Sequence, residues 1–190
     1  DGTTIKRAAG FLGDMFKVKD ESTSFQFGTG KEGETVLSLT VTGALDQGDA
    51  TGSIISVEGG YFGLSDGVTL TGNRTSAPGP AICNSGGSIG LAGGTITGNQ
   101  SEGIVNEAAE ITGGAIYSLG EIRVSGAVIV KDNKDDGLND NSIVLGGDNA
   151  CIAAIGQLAE TADLQVRRSD AAAGKIIVKV GTDANGTALT

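Results

Sequence analysis

Five residues near the middle of the chain return twice. Thr69-Leu70-Thr71-Gly72-Asn73 reappears as Thr95-Ile96-Thr97-Gly98-Asn99, 26 positions later. A looser copy, Ile129-Val130-Lys131-Asp132-Asn133, follows a further 34 positions on. The phase holds upstream: Gly60 to Asn73 and Gly120 to Asn133 are each 13 steps, and Gly87 to Asn99 is 12. Each unit has a glycine turn, a short apolar alternation, a second turn, another alternation and then Asn. Leu64, Leu91 and Val124 match in the first alternation; Leu70, Ile96 and Val130 match in the second. The extra length before the third copy falls in the polar stretch Gln100 to Ile111, and insertions confined to loops are what a stacked repeat tolerates.

The runs are too short for helices and are punctuated by glycine, which costs a helix about 1 kcal/mol per residue. Phe62-Gly63-Leu64, Ile122-Arg123-Val124 and Val128-Ile129-Val130 read instead as short strands. One such unit cannot bury its apolar face alone. Stacking equivalent strands with parallel pairing between coils buries a continuous aliphatic column. The expected fold is therefore all-β: a single-stranded parallel β-helix (β-solenoid) with residues 36–190 as coils and residues 1–35 as an N-terminal cap. Four of the five phenylalanines, Phe11, Phe16, Phe25 and Phe27, lie in that cap, which is expected to cover the open core cross-section with a short helical stretch near Arg7 to Phe16. Ile143-Val144-Leu145, Leu164-Gln165-Val166 and Ile176 to Val180 read as further strands with degraded phase. Ala150 to Leu158 fits either a helical turn or another coil.

Asn73, Asn99 and Asn133 end equivalent strands, so in register they form a structural ladder, bonding through their amides to one another and to turn backbone. Asn also tolerates the left-handed conformation that such corners need.

Gly113-Gly114-Ala115-Ile116 resembles the G-G-A-I element of the β-helical repeats of polymorphic outer-membrane proteins, and the Asn-terminated strands are similar to their F-x-x-N element, with Leu70, Ile96 and Val130 in place of Phe. The T-[LI]-T-G-N phrasing with glycine pairs is similar to the repeat-rich surface proteins of Gram-positive gut anaerobes. The resemblance covers roughly Ser53 to Leu145. It implies a right-handed parallel β-helix displayed outside a bacterial cell, in an adhesin-like or passenger region, and names no ligand.

Composition narrows the function classes. There is no His, which removes His-based general-base catalysis, Ser-His-Asp and Cys-His nucleophile systems and imidazole-ligated metals. A net charge of −10 argues against nucleic acid or anionic membrane as partner, and no run of about 18 apolar residues exists to span a bilayer. The chain opens at Asp1 without an initiating Met or a signal peptide, and is expected to be a segment of a larger surface protein.

Several motifs remain. Gly28 to Gly33 satisfies G-x-G-x-x-G, but the strand-like Thr35 to Val41 follows it where a dinucleotide site needs a helix, so it reads as a turn. In the run Asp132 to Asn141, the oxygens of Asp132, Asp135, Asp136 and Asp140 suit Ca²⁺, with Gly137 at the sixth place of an EF-like loop. Lys134 stands at the third ligand place and Ile143 at the twelfth, so no EF-hand forms, and a solvated connection explains the run without an ion. No other cofactor is expected. Cys83 and Cys151 read as two small buried apolar residues, or as a long-loop disulfide in an oxidising compartment. The sequons at Asn73, Asn99 and Asn185 are assigned no role.

Three functions fit. The leading expectation is a non-catalytic extracellular segment, a stiff stalk or adhesive surface meeting a host glycan or host protein through Asn73 to Pro80, Gln100 to Ile111 or Asp132 to Asn141. A carbohydrate-active β-helix enzyme (lyase- or hydrolase-like) would need carboxylates gathered in a groove and aromatic platforms, of which the strands carry few. Ice binding would use Thr-x-Thr rungs, of which Thr69/Thr71 and Thr95/Thr97 are two.

Overall fold

The structure, a computed structural model, describes residues 2–28, 38–43, 50–102, 114–135, 140–168 and 174–182. These residues wind through six coils. The first carries β1 (Thr3–Lys6), β2 (Phe16–Val18) and β3 (Ser24–Phe27); the second β4 (Leu39–Thr42), β5 (Ile55–Val57) and β6 (Tyr61–Leu64). The third has β7 (Val68–Thr71), β8 (Arg74–Thr75), β9 (Ile82–Asn84) and β10 (Ser88–Leu91), and the fourth β11 (Thr95–Thr97), β12 (Gln100–Ser101), β13 (Ile116–Ser118) and β14 (Ile122–Gly126). The fifth has β15 (Ile129–Val130), β16 (Ile143–Leu145) and β17 (Ile152–Leu158), and the last β18 (Asp163–Leu164), β19 (Val166–Arg168) and β20 (Val178–Val180).

Equivalent strands stack into three parallel six-stranded sheets, ordered β1-β4-β7-β11-β15-β18, β2-β5-β9-β13-β16-β19 and β3-β6-β10-β14-β17-β20. The chain is a parallel β-helix. Leu70 pairs in register with Ile96 and Ile96 with Val130; Leu64 pairs with Leu91 and Leu91 with Val124. The two columns legible in the repeat are thus the inward faces of the first and third sheets. Ile55, Ile82, Ile116 and Ile143 form a third inward column, on the second sheet. All are fully buried, as period-two alternation around a shared shaft requires.

The first coil differs from its expected description. Arg7 to Phe16 contains no helix: turns lead into β2 at Phe16. Gly10 at φ 76° and the nearby Gly13 work against a helix, and the carbonyl of Gly13 is taken by the Arg7 side chain. Phe16, Phe25 and Phe27 sit on the strands of this coil and pack on one another, and Phe25 and Phe27 meet Phe62 of the next, with neighbouring ring centroids 4.9–6.1 Å apart. Rings therefore plug the N-terminal end of an otherwise aliphatic shaft. Ala150 to Leu158 resolves as a strand, β17. At the other end Val178 and Val180 continue the inward column of the third sheet but stand 62% and 61% exposed, because no described residue stacks on them.

The glycines of the T-G-N elements explain one departure in the repeat. Gly72 and Gly98 adopt φ of 64° and 66°, and the third copy places Asp132 there at φ 55°. The left-handed residue is thus the one before Asn, and none of the three ladder asparagines has positive φ, which corrects the expectation that Asn itself turns the corner. A left-handed conformation costs a non-glycine residue roughly 1–2 kcal/mol, partly offset by the entropy that glycine loses on folding. Asp132→Gly is expected to raise stability by about 0.5–1 kcal/mol, read as a higher urea midpoint at unchanged m-value.

Candidate functional site

Three corners join the sheets, and they are not alike. In the middle of the stack the chain passes from the second sheet to the third through residues 58–60, 85–87 and 119–121, and from the third to the first through 65–67, 92–94 and 127–128. Glycine is required at several of these turns. A Cβ on Gly94, at φ 83°, would lie 2.9 Å from two backbone carbonyls of the coil below. The corner between the first and second sheets carries the longest connection of each coil from the second to the fifth, at 43–54, 76–81, 102–115 and 131–142, while 28–38, 146–151 and 169–177 fall at the other two corners. The described parts of the three segments singled out in the sequence, residues 73–80, 100–102 and 132–135 with 140–141, therefore root at one edge of the prism in that order up the stack; residues 103–111 and 136–139 lie outside the described residues.

The Asn ladder is the root of that edge. Asn73 N–H donates to Asn99 Oδ1 (3.1 Å) and Asn99 N–H to Asn133 Oδ1 (3.0 Å). Asn99 Nδ2 also reaches Asn133 Oδ1 (3.0 Å) and the carbonyls of Leu70 and Thr97 (3.2 and 3.1 Å). Asn73 Nδ2 holds the carbonyls of Gly52 and Pro80 at 3.0 and 2.7 Å. All three side chains are buried, so each amide replaces water with protein partners. Above Asn133 the contacts pass through Ser142 Oγ (3.3 Å) to Gln165 Oε1 (3.1 Å).

Beyond the ladder the chains stay stacked for one more step before the loops depart. β8 pairs with β12 in parallel, and bridges link Ala50 to Thr75 and Gln100 to Lys134. Arg74 meets Glu102 across this narrow ladder at 3.3 Å. The loops of successive coils thus spring from a fixed base at the usual strand spacing of about 4.8 Å.

Sequence reasoning missed the arginines that close each end of the stack. Arg7 is 6% exposed; its guanidinium donates to the carbonyl of Gly13, to those of Gly52 and Ser53 (each 3.3 Å) and to Asn73 Oδ1 (3.2 Å). It occupies the foot of the ladder where no asparagine lies below. Burial pulls its pKa down, with Asp14 opposing that shift. Arg168, 4% exposed, donates to the carbonyls of Ala150, Ile176 and Gly147 at the opposite end. A buried guanidinium surrounded by carbonyls is legible only once the coils are assembled.

Three of the four Ca²⁺ candidates lie among the described residues. Asp132 and Asp135 lie at the start of their loop and Asp140 at its end, where Lys134 Nζ holds Asp140 at 2.5 Å. That contact raises the Lys134 pKa, the hydrogen bond that Lys134 donates to Asp140 being the main cause. Asp136 lies outside the described residues, and among the described residues no group of three potential ligands forms. Residues 29–33 of the glycine-rich turn and Asn185 also lie outside them. Cys83 and Cys151 are both free thiols. Cys151 is buried, while Cys83 sits half-buried on the outer face of the second sheet; desolvation first, then Asp14 and Glu58, push its pKa to about 11.

No family model, curated protein or solved structure matches this chain. Its own outward faces are then the guide. Carboxylates there are paired: Lys17 with Asp14 (3.1 Å) and Glu58 (2.8 Å), Lys131 with Asp163 (3.1 Å), and Glu121 with Lys179 (2.5 Å) and Arg123 (3.0 Å). The hydrogen bond from Lys179 is the main cause lowering the Glu121 pKa. A carboxyl depressed in the folded state stabilises it above its unfolded pKa of about 4.3 and loses that contribution as pH falls through the folded value. In Lys179→Met, carboxyl-detected NMR is expected to show the Glu121 midpoint moving up toward the ordinary glutamate range.

Proposed function

We propose that the chain is a non-catalytic, extracellular β-solenoid segment of a larger bacterial surface protein, adhesin-like, which meets a host glycan or host protein along the edge between its first and second sheets. The observation that carries this reading is that the longest connection of each coil from the second to the fifth falls at one corner, rooted on the buried Asn ladder. A rod with loops stacked at a fixed spacing offers an extended, multivalent recognition surface, and binding residues favour loops held by a rigid scaffold. The likeness of the G-G-A-I and Asn-terminated elements to bacterial surface repeats supports the extracellular setting. The Glu121 carboxyl, lowered chiefly by its hydrogen bond from Lys179, is not set up as a general acid, which needs its pKa raised.

The test is a glycan and host-protein array probed with the chain and with a variant in which residues 103–112 are replaced by a short Gly-Ser turn. The reading requires a hit that the variant loses while its unfolding transition is preserved. A hit unaffected by replacing this loop and its neighbours at 76–80 and 136–139, or hydrolysis or β-elimination of polygalacturonate by the chain, would overturn it.

One observation favours a second reading. The outer face of the first sheet carries three full Thr-x-Thr rungs rather than two, because Thr40 and Thr42 pair in register with Thr69 and Thr71, and Thr4 extends the first column. The hydroxyl Oγ1 of Thr42 approaches Gly72 as that of Thr71 approaches Gly98, so these side chains repeat with one orientation. A regular hydroxyl array of this kind can order water into an ice-like layer. Thermal hysteresis lost in Thr71→Lys would support ice binding; its absence from the unsubstituted chain would dismiss it.

A further inference from the structure

The outer face of the third sheet lies opposite the loop-bearing corner, and its centre is floored by glycine. One outward column runs Gln26, Gly63, Gly90, Arg123; the next runs Ser24, Tyr61, Ser88. A Cβ built on Gly63 would meet Tyr61 Cε1 at 3.1 Å. One built on Gly90 would meet Tyr61 Cζ at 2.9 Å and Cε2 at 3.1 Å and collide with the hydroxyl. The Tyr61 ring therefore lies across the backbone of two coils, one π face seated on bare glycine and the half-buried side chain turning its other face outward.

Covering glycine backbone is one task of such a ring. The groups around it suit a second. Gln26 runs beside the ring, its Cγ 3.1 Å from the Gly63 Cβ position, and is fixed by a 3.0 Å bond from Nε2 to Ser65 Oγ. On the next rung Arg123 is held at 3.0 Å by Glu121, a carboxylate that Lys179 also holds at 2.5 Å. The face thus presents one flat apolar patch the size of a single ring, fenced by an amide, a hydroxyl at Ser88 and the Arg123–Glu121–Lys179 cluster.

We propose that Tyr61 is the platform of a binding site for a neutral pyranose glycan. The C–H face of the sugar stacks on the ring, and its equatorial hydroxyls bond to Gln26 and to the Arg123–Glu121 pair. A protein partner would need a wider apolar cluster than one ring among Gly and Ser, and the net charge of −10 disfavours acidic glycans. This site lies away from the loop-bearing corner, so a failure here leaves the reading of that corner standing, and the reverse also holds.

The chain has two tyrosines, so Tyr117→Phe leaves Tyr61 as the sole phenol for ring-labelled NMR. Titration of that variant with maltotetraose, cellotetraose and lacto-N-tetraose is expected to give a saturable shift of the Tyr61 ring signals with at least one of them. Trigalacturonate is expected to give none. The companion Tyr61→Leu still covers the glycines but has no flat π face. It is expected to keep its unfolding midpoint and to bind the same oligosaccharide about tenfold more weakly, followed by ligand-observed NMR. Unmoved Tyr61 signals with all three neutral oligosaccharides, a shift with the charged trisaccharide, or equal binding by Tyr61→Leu would overturn the proposal.

Discussion

Asn99→Leu is expected to destabilise the chain by about 3–5 kcal/mol, the largest effect of any single substitution in the ladder. Leucine matches asparagine in shape closely enough that the change isolates polarity. It strips Asn73 N–H of its acceptor and removes the donor shared by Asn133 Oδ1 and the carbonyls of Leu70 and Thr97. Each polar group left unsatisfied in a buried site costs about 1–3 kcal/mol, and Asn99 itself is 1% exposed. The control is two residues away: Thr97 lies on the outer face, and Thr97→Val is expected to change stability by no more than about 0.5 kcal/mol. Equilibrium urea unfolding of the two variants beside the parent measures the contrast.

Arg7→Met is the second large effect, and it should differ in kind. The substitution leaves the carbonyls of Gly13, Gly52 and Ser53 and the Oδ1 of Asn73 without their guanidinium donor. Hydrogen bonds from a charged donor contribute roughly 1.5–3 kcal/mol each, and breaking a buried network of this kind costs on the order of 3–5 kcal/mol. In a solenoid a coil packs mainly on its neighbours, and Arg7 reaches no farther than Asn73 of the third coil, so the loss stays at that end. Hydrogen exchange is expected to show lost protection in β1 to β3 while β10 and β11 remain protected. Arg168→Met is expected to mirror this, exposing β18 to β20. Uniform loss of protection along the chain would mean that the arginines do not act as clamps on the ends.

The residues that were legible in the sequence are those whose neighbours in space are their equivalents in the repeat. Leu70, Ile96 and Val130 could be placed in one column because the T-G-N phrase around them recurs, and the same phrase put Asn73, Asn99 and Asn133 into a ladder. The second sheet is legible as a strand at β16 but not as a column. Its strands β9, β13 and β16 are three residues long, and their surroundings, Ile-Cys-Asn, Ile-Tyr-Ser and Ile-Val-Leu, share little beyond the isoleucine. Without that sheet the corners could not be told apart, so the gathering of the insertions on one edge was hidden although each had been found. Arg7 and Arg168 were hidden for another reason. Their partners are backbone carbonyls up to 46 residues away, and carbonyls leave no mark on a sequence. Tyr61 leaves no mark in the sequence, because its floor combines a glycine of its own strand with one from the next coil.

The stacking of rungs on one shaft is tested most directly by methyl NOEs in selectively labelled protein. The account predicts strong cross-peaks from Leu70 to Ile96 and from Ile96 to Val130, together with Leu64 to Leu91, and none from Leu70 to Val130, two coils apart. Absence of the Leu70–Ile96 and Leu64–Leu91 cross-peaks, or a strong one between Leu70 and Val130, would contradict it.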